Sequence, residues 1–132
     1  MKKKTIALVS CGGRSRIYAE NLTKLGCEII AVAEPHRELR AEIAAKYGIP
    51  KQYDGYSEMF SDGVTADGIV IGTTDKLHFE PTVTAIELGY KNILLEKPIS
   101  PSLDECFAIE KASRENGVNI QVCHVLRYTE FY

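Results

Sequence analysis

The segment Ser10-Cys11-Gly12-Gly13-Arg14-Ser15 carries residue types suited to holding a phosphate. It follows a short apolar run, Thr5 to Val9, and leads into an amphipathic stretch. Set against the pattern G-x-G-x-x-G it reads S-x-G-x-x-S, so Gly12 alone matches. That central glycine has no side chain to hold a pyrophosphate away from the backbone. Ser15 is small enough to stand where the third glycine lets helix and strand pack, and Gly13 gives the loop latitude. Ser10 stands where a tight turn asks for glycine, so backbone strain on the order of 1 kcal/mol is expected there. A helix opening after this loop offers free amides and the positive end of its dipole to an anion. Taken alone, the loop fits an ordinary glycine-rich turn equally well.

Three further places carry chemistry. Glu34 lies 22 residues after Gly12, at the end of a second apolar run. An acid there can accept a hydrogen bond from the ribose 2′-OH of an adenine dinucleotide. It can also cap a helix that opens at Pro35. His36 and Arg37 adjoin it and could meet a 2′-phosphate, which leaves NADP open beside NAD. The stretch from Gly72 to His78 and the triplet Glu96-Lys97-Pro98 each leave an apolar run on the same edge. Lys97 would then be a cation at the mouth of a cleft, able to hold a substrate hydroxyl or move its proton. A solvated lysine at a strand end is the alternative. His78 shares that edge, while His124, inside the last apolar run, reads as a core histidine. Cys11, at a helix N-terminus, could be open to oxidation but does not read as a nucleophile.

The elements that must position these groups alternate along the whole chain. Strands are expected at Thr5 to Val9, Cys27 to Ala33, near Gln52-Tyr53, at Gly68 to Ile71, at Asn92 to Leu95 and at Val118 to Val125. Between them, apolar residues recur at helical spacing: Ile17 or Tyr18, Leu22 and Leu25; Leu39, Ile43 and Tyr47; Val83, Ile86 and Tyr90. Pro35 suits the first position of the second helix. Ser102-Leu103-Asp104-Glu105 has the form of a capping box. Alternating strands and helices imply parallel pairing with right-handed crossovers. The expected fold is therefore a three-layer α/β, doubly wound Rossmann fold. Its six-stranded, mostly parallel sheet should run 3-2-1-4-5-6.

Bulk properties exclude more than they assign. The 132 residues fit one domain, and a formal net charge of -2 gives no field favouring nucleic acid or an anionic membrane. None of the four cysteines falls in a C-x-x-C spacing, so no metal or thioredoxin site is expected. No apolar stretch approaches the ~20 residues of a membrane span. A cytoplasmic protein with reduced thiols is the plain expectation.

Taken together, these blocks resemble the Gfo/Idh/MocA oxidoreductases. The resemblance rests on the glycine-rich turn, Ala31 to His36 (AVAEPH), Gly72 to Glu80 (GTTDKLHFE), Leu94 to Ser100 (LLEKPIS) and Val122 to Tyr128 (VCHVLRY). It implies an NAD(P)-binding Rossmann domain over residues 1–127, with residues 128–132 beginning a substrate domain that is missing here. It implies an NAD(P)-dependent enzyme for a sugar, cyclic polyol or related small molecule, with NAD as cofactor and a homo-oligomer as the assembly. By the same resemblance Lys97 is catalytic. The cofactor is expected at Ser10, Gly12, Gly13, Arg14, Glu34, Thr73, Thr74, His78, Glu96 and Lys97, and a cis bond is expected before Pro98. The serines at positions 10 and 15 depart from the family's glycines. The chain alone is expected to be inactive, with Tyr128, Phe131 and Tyr132 forming an exposed apolar patch. A non-catalytic NAD(H)-binding module is the alternative. A domain using S-adenosylmethionine would also suit the acid after the second strand, but gives the EKP triplet no place.

Overall fold

Apolar runs too short for helices become strands when amphipathic segments cover both their faces. In the computed structural model, which describes residues 2–130, they form β1 (Thr5–Val9), β2 (Glu28–Ala33), β4 (Gly68–Ile71), β5 (Asn92–Glu96) and β6 (Asn119–Cys123), and the polar triplet β3 (Lys51–Tyr53) adds an edge strand. The connecting helices are α1 (Gly13–Lys24), α2 (Arg37–Tyr47), α3 (Tyr56–Ser61), α4 (Phe79–Glu87) and α5 (Leu103–Asn116). Single 3₁₀ turns follow β4 (Asp75–Leu77) and β6 (Val125–Tyr128). The sheet order is β3-β2-β1-β4-β5-β6, as expected, and every pairing is parallel.

Strand alternation sorts the core into two layers. Ala7, Val9, Ile69, Ile71, Ile93 and Leu95 point to the side covered by α3, α4 and α5. Ile6, Leu8 and Val70 point to the side covered by α1 and α2. Each valine, leucine or isoleucine among them, when fully buried, contributes roughly 1.5–3 kcal/mol. Tyr90 is buried just after α4 and donates its hydroxyl to the Val64 carbonyl at 2.7 Å, so its polar end is satisfied. The strand order reverses between β1 and β4. The loops at the carboxyl ends of these two strands leave in opposite directions and open a crevice between them.

Several local expectations are corrected. Helix α2 begins at Arg37, not Pro35, because the Glu34 carboxylate accepts the His36 amide at 2.9 Å and turns the chain before the helix starts. Leu25 is 80% exposed. The helix has already ended at Lys24, so helical spacing no longer places that residue. Strand β6 stops at Cys123. The His124 amide donates back to the Val122 carbonyl at 2.9 Å, a γ-type turn about Cys123 that leaves the ladder. His124 is therefore exposed and is not a core residue. The capping box forms only in part. The Ser102 hydroxyl accepts the Glu105 amide at 3.4 Å, while the Glu105 carboxylate is bonded by the Ser100 hydroxyl, which also accepts the Ser102 amide. Of the tail aromatics, Tyr128 is 72% exposed; Phe131 and Tyr132 lie outside the described residues.

Candidate functional site

The turn from β1 into α1 is built around Ser10. Its φ of 84° is the only positive value at a non-glycine among the described residues, which is the strain the missing glycine implies. Two bonds hold it there. Its amide donates to the Ala33 carbonyl at 2.8 Å, and its hydroxyl accepts the Gly12 amide at 3.3 Å. Gly12 caps α1 at φ -64° and ψ 174°, a conformation open to any residue. A Cβ on Gly12 would meet only the Ser10 Oγ, at 3.7 Å, and one on Gly13 would meet nothing within 4 Å. Neither packing nor backbone geometry within the chain requires a glycine at Gly12, and packing does not require one at Gly13. The cap makes no side-chain hydrogen bond, so the first amides of α1 face the crevice.

Behind this loop, Ser15 is fully buried against Gly72 at the end of β4. A Cβ on Gly72 would sit 1.9 Å from Ser15 Oγ. The first turn of α1 thus docks on β4 because both contact residues are small. Cys11 is also buried. Burial, and then the Glu34 carboxylate, push its thiol up to about 12, so it is no thiolate. The expectation that Cys11 is open to oxidation is corrected: burial outweighs the helix terminus.

Glu34 leaves the end of β2 and reaches the loop. One carboxylate oxygen accepts the Cys11 amide at 2.8 Å, and the other accepts the His36 amide. Arg40 donates to the Glu34 carbonyl at 2.6 Å and pairs with Asp54 at 2.9 Å, which anchors the start of α2. The helix-capping role read for Glu34 is corrected, since α2 is capped by His36 without a side-chain bond. Glu34 organises the turn before α2, and its carboxylate also lies at the wall of a cavity.

Two cavities flank the Ser10 turn. The larger, about 500 Å³, is lined by the glycine loop, Arg14, the loop after β4, Glu96, Lys97 and Pro98. The other, about 320 Å³, includes Glu34, Pro35, Tyr56 and Leu77 in its lining. Ser10, Thr73 and Thr74 line both, so the two form one continuous crevice across the strand-order reversal. Lys97 is exposed at the rim, and its peptide bond to Pro98 is cis. Glu96 is 8% exposed and accepts the Tyr18 hydroxyl at 2.5 Å. Burial, then the Cys123 and Glu96 partners, raise the Tyr18 phenol well above its ordinary value.

His78 is brought to the same edge but not to the surface of the cleft. Its ring is fully buried, with Nδ1 2.7 Å from the Pro98 carbonyl and Nε2 2.9 Å from the Thr73 carbonyl. Two contributors escaped sequence reasoning. Gly72 precedes Thr73-Thr74 without a pattern of its own, and its need for smallness is set by Ser15, 57 residues away. Tyr18 carries its weight through a contact to Glu96 that spans 78 residues. Among the described residues no cluster of three or more His, Cys, Asp or Glu could hold a metal ion, and no helix is long and apolar enough to cross a membrane.

Residues 4–124 match the Gfo/Idh/MocA family model, described as an oxidoreductase family with an NAD-binding Rossmann fold. The chain belongs to the Gfo/Idh/MocA oxidoreductase family. Within it, the chain is 33% identical over 102 residues to a 1,5-anhydro-D-fructose reductase of Ensifer adhaerens, covering 77% of this chain and 30% of that protein. It is 30% identical over 129 residues to the NAD(+)-dependent scyllo-inositol 2-dehydrogenase of Bacillus subtilis, covering 96% and 37%. The fold superposes on the Lactobacillus casei scyllo-inositol dehydrogenase, solved with NAD(H) and scyllo-inositol, with a TM-score of 0.88 at 16% identity; the match covers 98% of this chain and 38% of that one. The first curated Gfo/Idh/MocA relatives are thus matched over 30% to 39% of their own length.

Proposed function

We propose that this chain is the cofactor half of an oxidoreductase that moves a hydride between NAD and a hydroxyl-bearing carbon of a sugar, cyclic polyol or related small molecule. The observation that carries the reading is Gly12, together with Gly13. Both are bare positions that packing within the chain does not require to be bare, set over the free amides of α1 at the mouth of a crevice. A pyrophosphate fits that description. Ser10, Gly12, Gly13 and Arg14 would hold it, Glu34 would take the adenosine ribose, and Thr73, Thr74, Glu96 and Lys97 would line the nicotinamide half. NAD, when bound, supplies the hydride acceptor. Lys97, at the rim, orients the substrate hydroxyl and takes part in moving its proton.

The Glu34 carboxylate disfavours a 2′-phosphate through like charge, which supports NAD over NADP. The reading also carries a cytoplasmic location and a homo-oligomeric assembly. The unpaired state of all four cysteines accords with a reducing compartment. The test is calorimetry with NAD and NADP on the wild type and Gly12→Val. The wild type should bind NAD more tightly than NADP, and the valine, placed where the pyrophosphate approaches, should weaken NAD binding at least about tenfold, equivalent to about 1.4 kcal/mol. Equal affinity in wild type and variant would place the nucleotide elsewhere.

A further inference from the structure

Strand alternation turns Leu95 toward α4 and α5 and sends the next side chain, Glu96, to the opposite face, where α1 lies. A carboxylate delivered to a largely apolar layer needs hydrogen-bond partners. Glu96 is 8% exposed and joins no ion pair among the described residues. The Tyr18 hydroxyl is the one donor its carboxylate has there, to Oε2 at 2.5 Å. The other oxygen, Oε1, has no partner among the described residues, yet it is not sealed from solvent. Glu96 lines the 500 Å³ cavity, so the carboxylate is clamped at one oxygen and open to the crevice at the other.

Tyr18 is placed for this by its helix. It shares a face of α1 with Leu22, four residues on, and both pack against the layer of Ile6, Leu8 and Val70. Ser15 docked on Gly72 fixes the first turn of α1. One turn deeper, the phenol reaches the end of β5 without lining the crevice itself. Its other neighbour is the thiol of Cys123, which lies opposite Glu96 in the sheet register. Burial pushes that thiol up and keeps it neutral, so the carboxylate is the stronger acceptor for the phenol proton.

We propose that Tyr18 is a positioning residue for the cofactor: by holding Oε2 of Glu96, it aims Oε1 at a hydroxyl of the ribose that bears the nicotinamide. This rests on the cofactor reading above. An ionised carboxylate only accepts, so its partner must bring a donor. The donors in that half of the nucleotide are the ribose hydroxyls and the carboxamide. The ribose follows the pyrophosphate directly, and Glu96 shares its cavity with the glycine loop, which selects the ribose over the more distant carboxamide.

Calorimetry with NAD, ADP-ribose and ADP tests this on the wild type, Tyr18→Phe, Glu96→Ala and the double variant. Tyr18→Phe keeps the ring and removes only the donor. It should weaken NAD and ADP-ribose about two- to tenfold, the loss expected of one hydrogen bond, and leave ADP, which lacks the second ribose, within about twofold. In Glu96→Ala, adding Tyr18→Phe should cost no further affinity, because the tyrosine acts through the carboxylate. A purely structural role would disturb α1 and its phosphate loop and so weaken all three nucleotides alike. That result, or a full Tyr18→Phe loss in the Glu96→Ala background, overturns the proposal. A loss confined to NAD, sparing ADP-ribose, overturns the ribose as partner. Wild-type NAD binding that Tyr18→Phe leaves unchanged overturns the role of Tyr18 alone, whereas a wild type that binds none of the three brings down the cofactor reading and this proposal together.

Discussion

Ser10 shows how a single side chain departs from a fingerprint without losing the turn. The left-handed conformation costs a non-glycine residue about 1–3 kcal/mol, and the hydrogen bond from Gly12 to the Ser10 hydroxyl returns part of that. Ser10→Gly should therefore raise stability by about 0.5–1 kcal/mol, because strain relief exceeds the lost hydroxyl contact and the added chain entropy. Ser10→Ala keeps the strain and loses the bond, so it should destabilise. Denaturant unfolding of the three proteins checks both signs. A glycine variant less stable than the wild type would mean that the hydroxyl, not the backbone, governs the turn. At this same scale Cys11 was misjudged from its position: a helix N-terminus activates a thiol only if water or a cation reaches it, and here neither outweighs burial.

At the scale of elements, the contact between α1 and β4 is a lock with two small parts. Gly72→Ala inserts a Cβ at 1.9 Å from the Ser15 hydroxyl and should cost about 1–3 kcal/mol as an overpacked site. Ser15→Gly in the same chain should recover most of it. The coupling, read from a double-mutant cycle by thermal or denaturant unfolding, should exceed about 0.5 kcal/mol. Additive losses would show that α1 shifts rather than clashes. The elements themselves were mostly legible in the sequence. Apolar runs located five of the six strands, β3 (Lys51–Tyr53) being read only as a short edge strand, and their alternation with helices implied the order in the sheet. What escaped was local hydrogen bonding that overrides periodicity. Glu34 turning onto His36 moved the start of α2, the γ-type turn about Cys123 ended β6 early, and Ser100 took the place of half the capping box. In the site, the loops were legible as patterns. The smallness of Ser15 was legible too, but the matching need at Gly72 and the Tyr18–Glu96 contact were not, because each depends on a partner more than fifty residues distant.

For the molecule as a whole, binding and turnover should separate. On the proposed reading, the groups that would hold the dinucleotide come from loops of one sheet edge. Turnover needs a substrate held in near-attack geometry, and Lys97 at an exposed rim cannot provide that by itself. The 132-residue chain should therefore bind NAD while nicotinamide reduction with inositols, hexoses and their oxidised forms stays at background. Turnover above background would mean that the residues described here contain a complete substrate site.

The pairing of β1 with β4 has a further consequence, for the order in which the molecule is assembled. Ile6 lies opposite Gly68, so the central seam of the sheet closes only after the 61 residues between them have been gathered in. Contacts of such separation form late, since the chain entropy of closing the loop must be overcome before they contribute. The glycine turn and the Thr73-Thr74 loop sit on the two sides of that seam, and neither makes a crevice without the other. A nucleotide that needs both walls thus recognises the finished protein and not its partly folded forms, and its binding acts as a proofreader of folding.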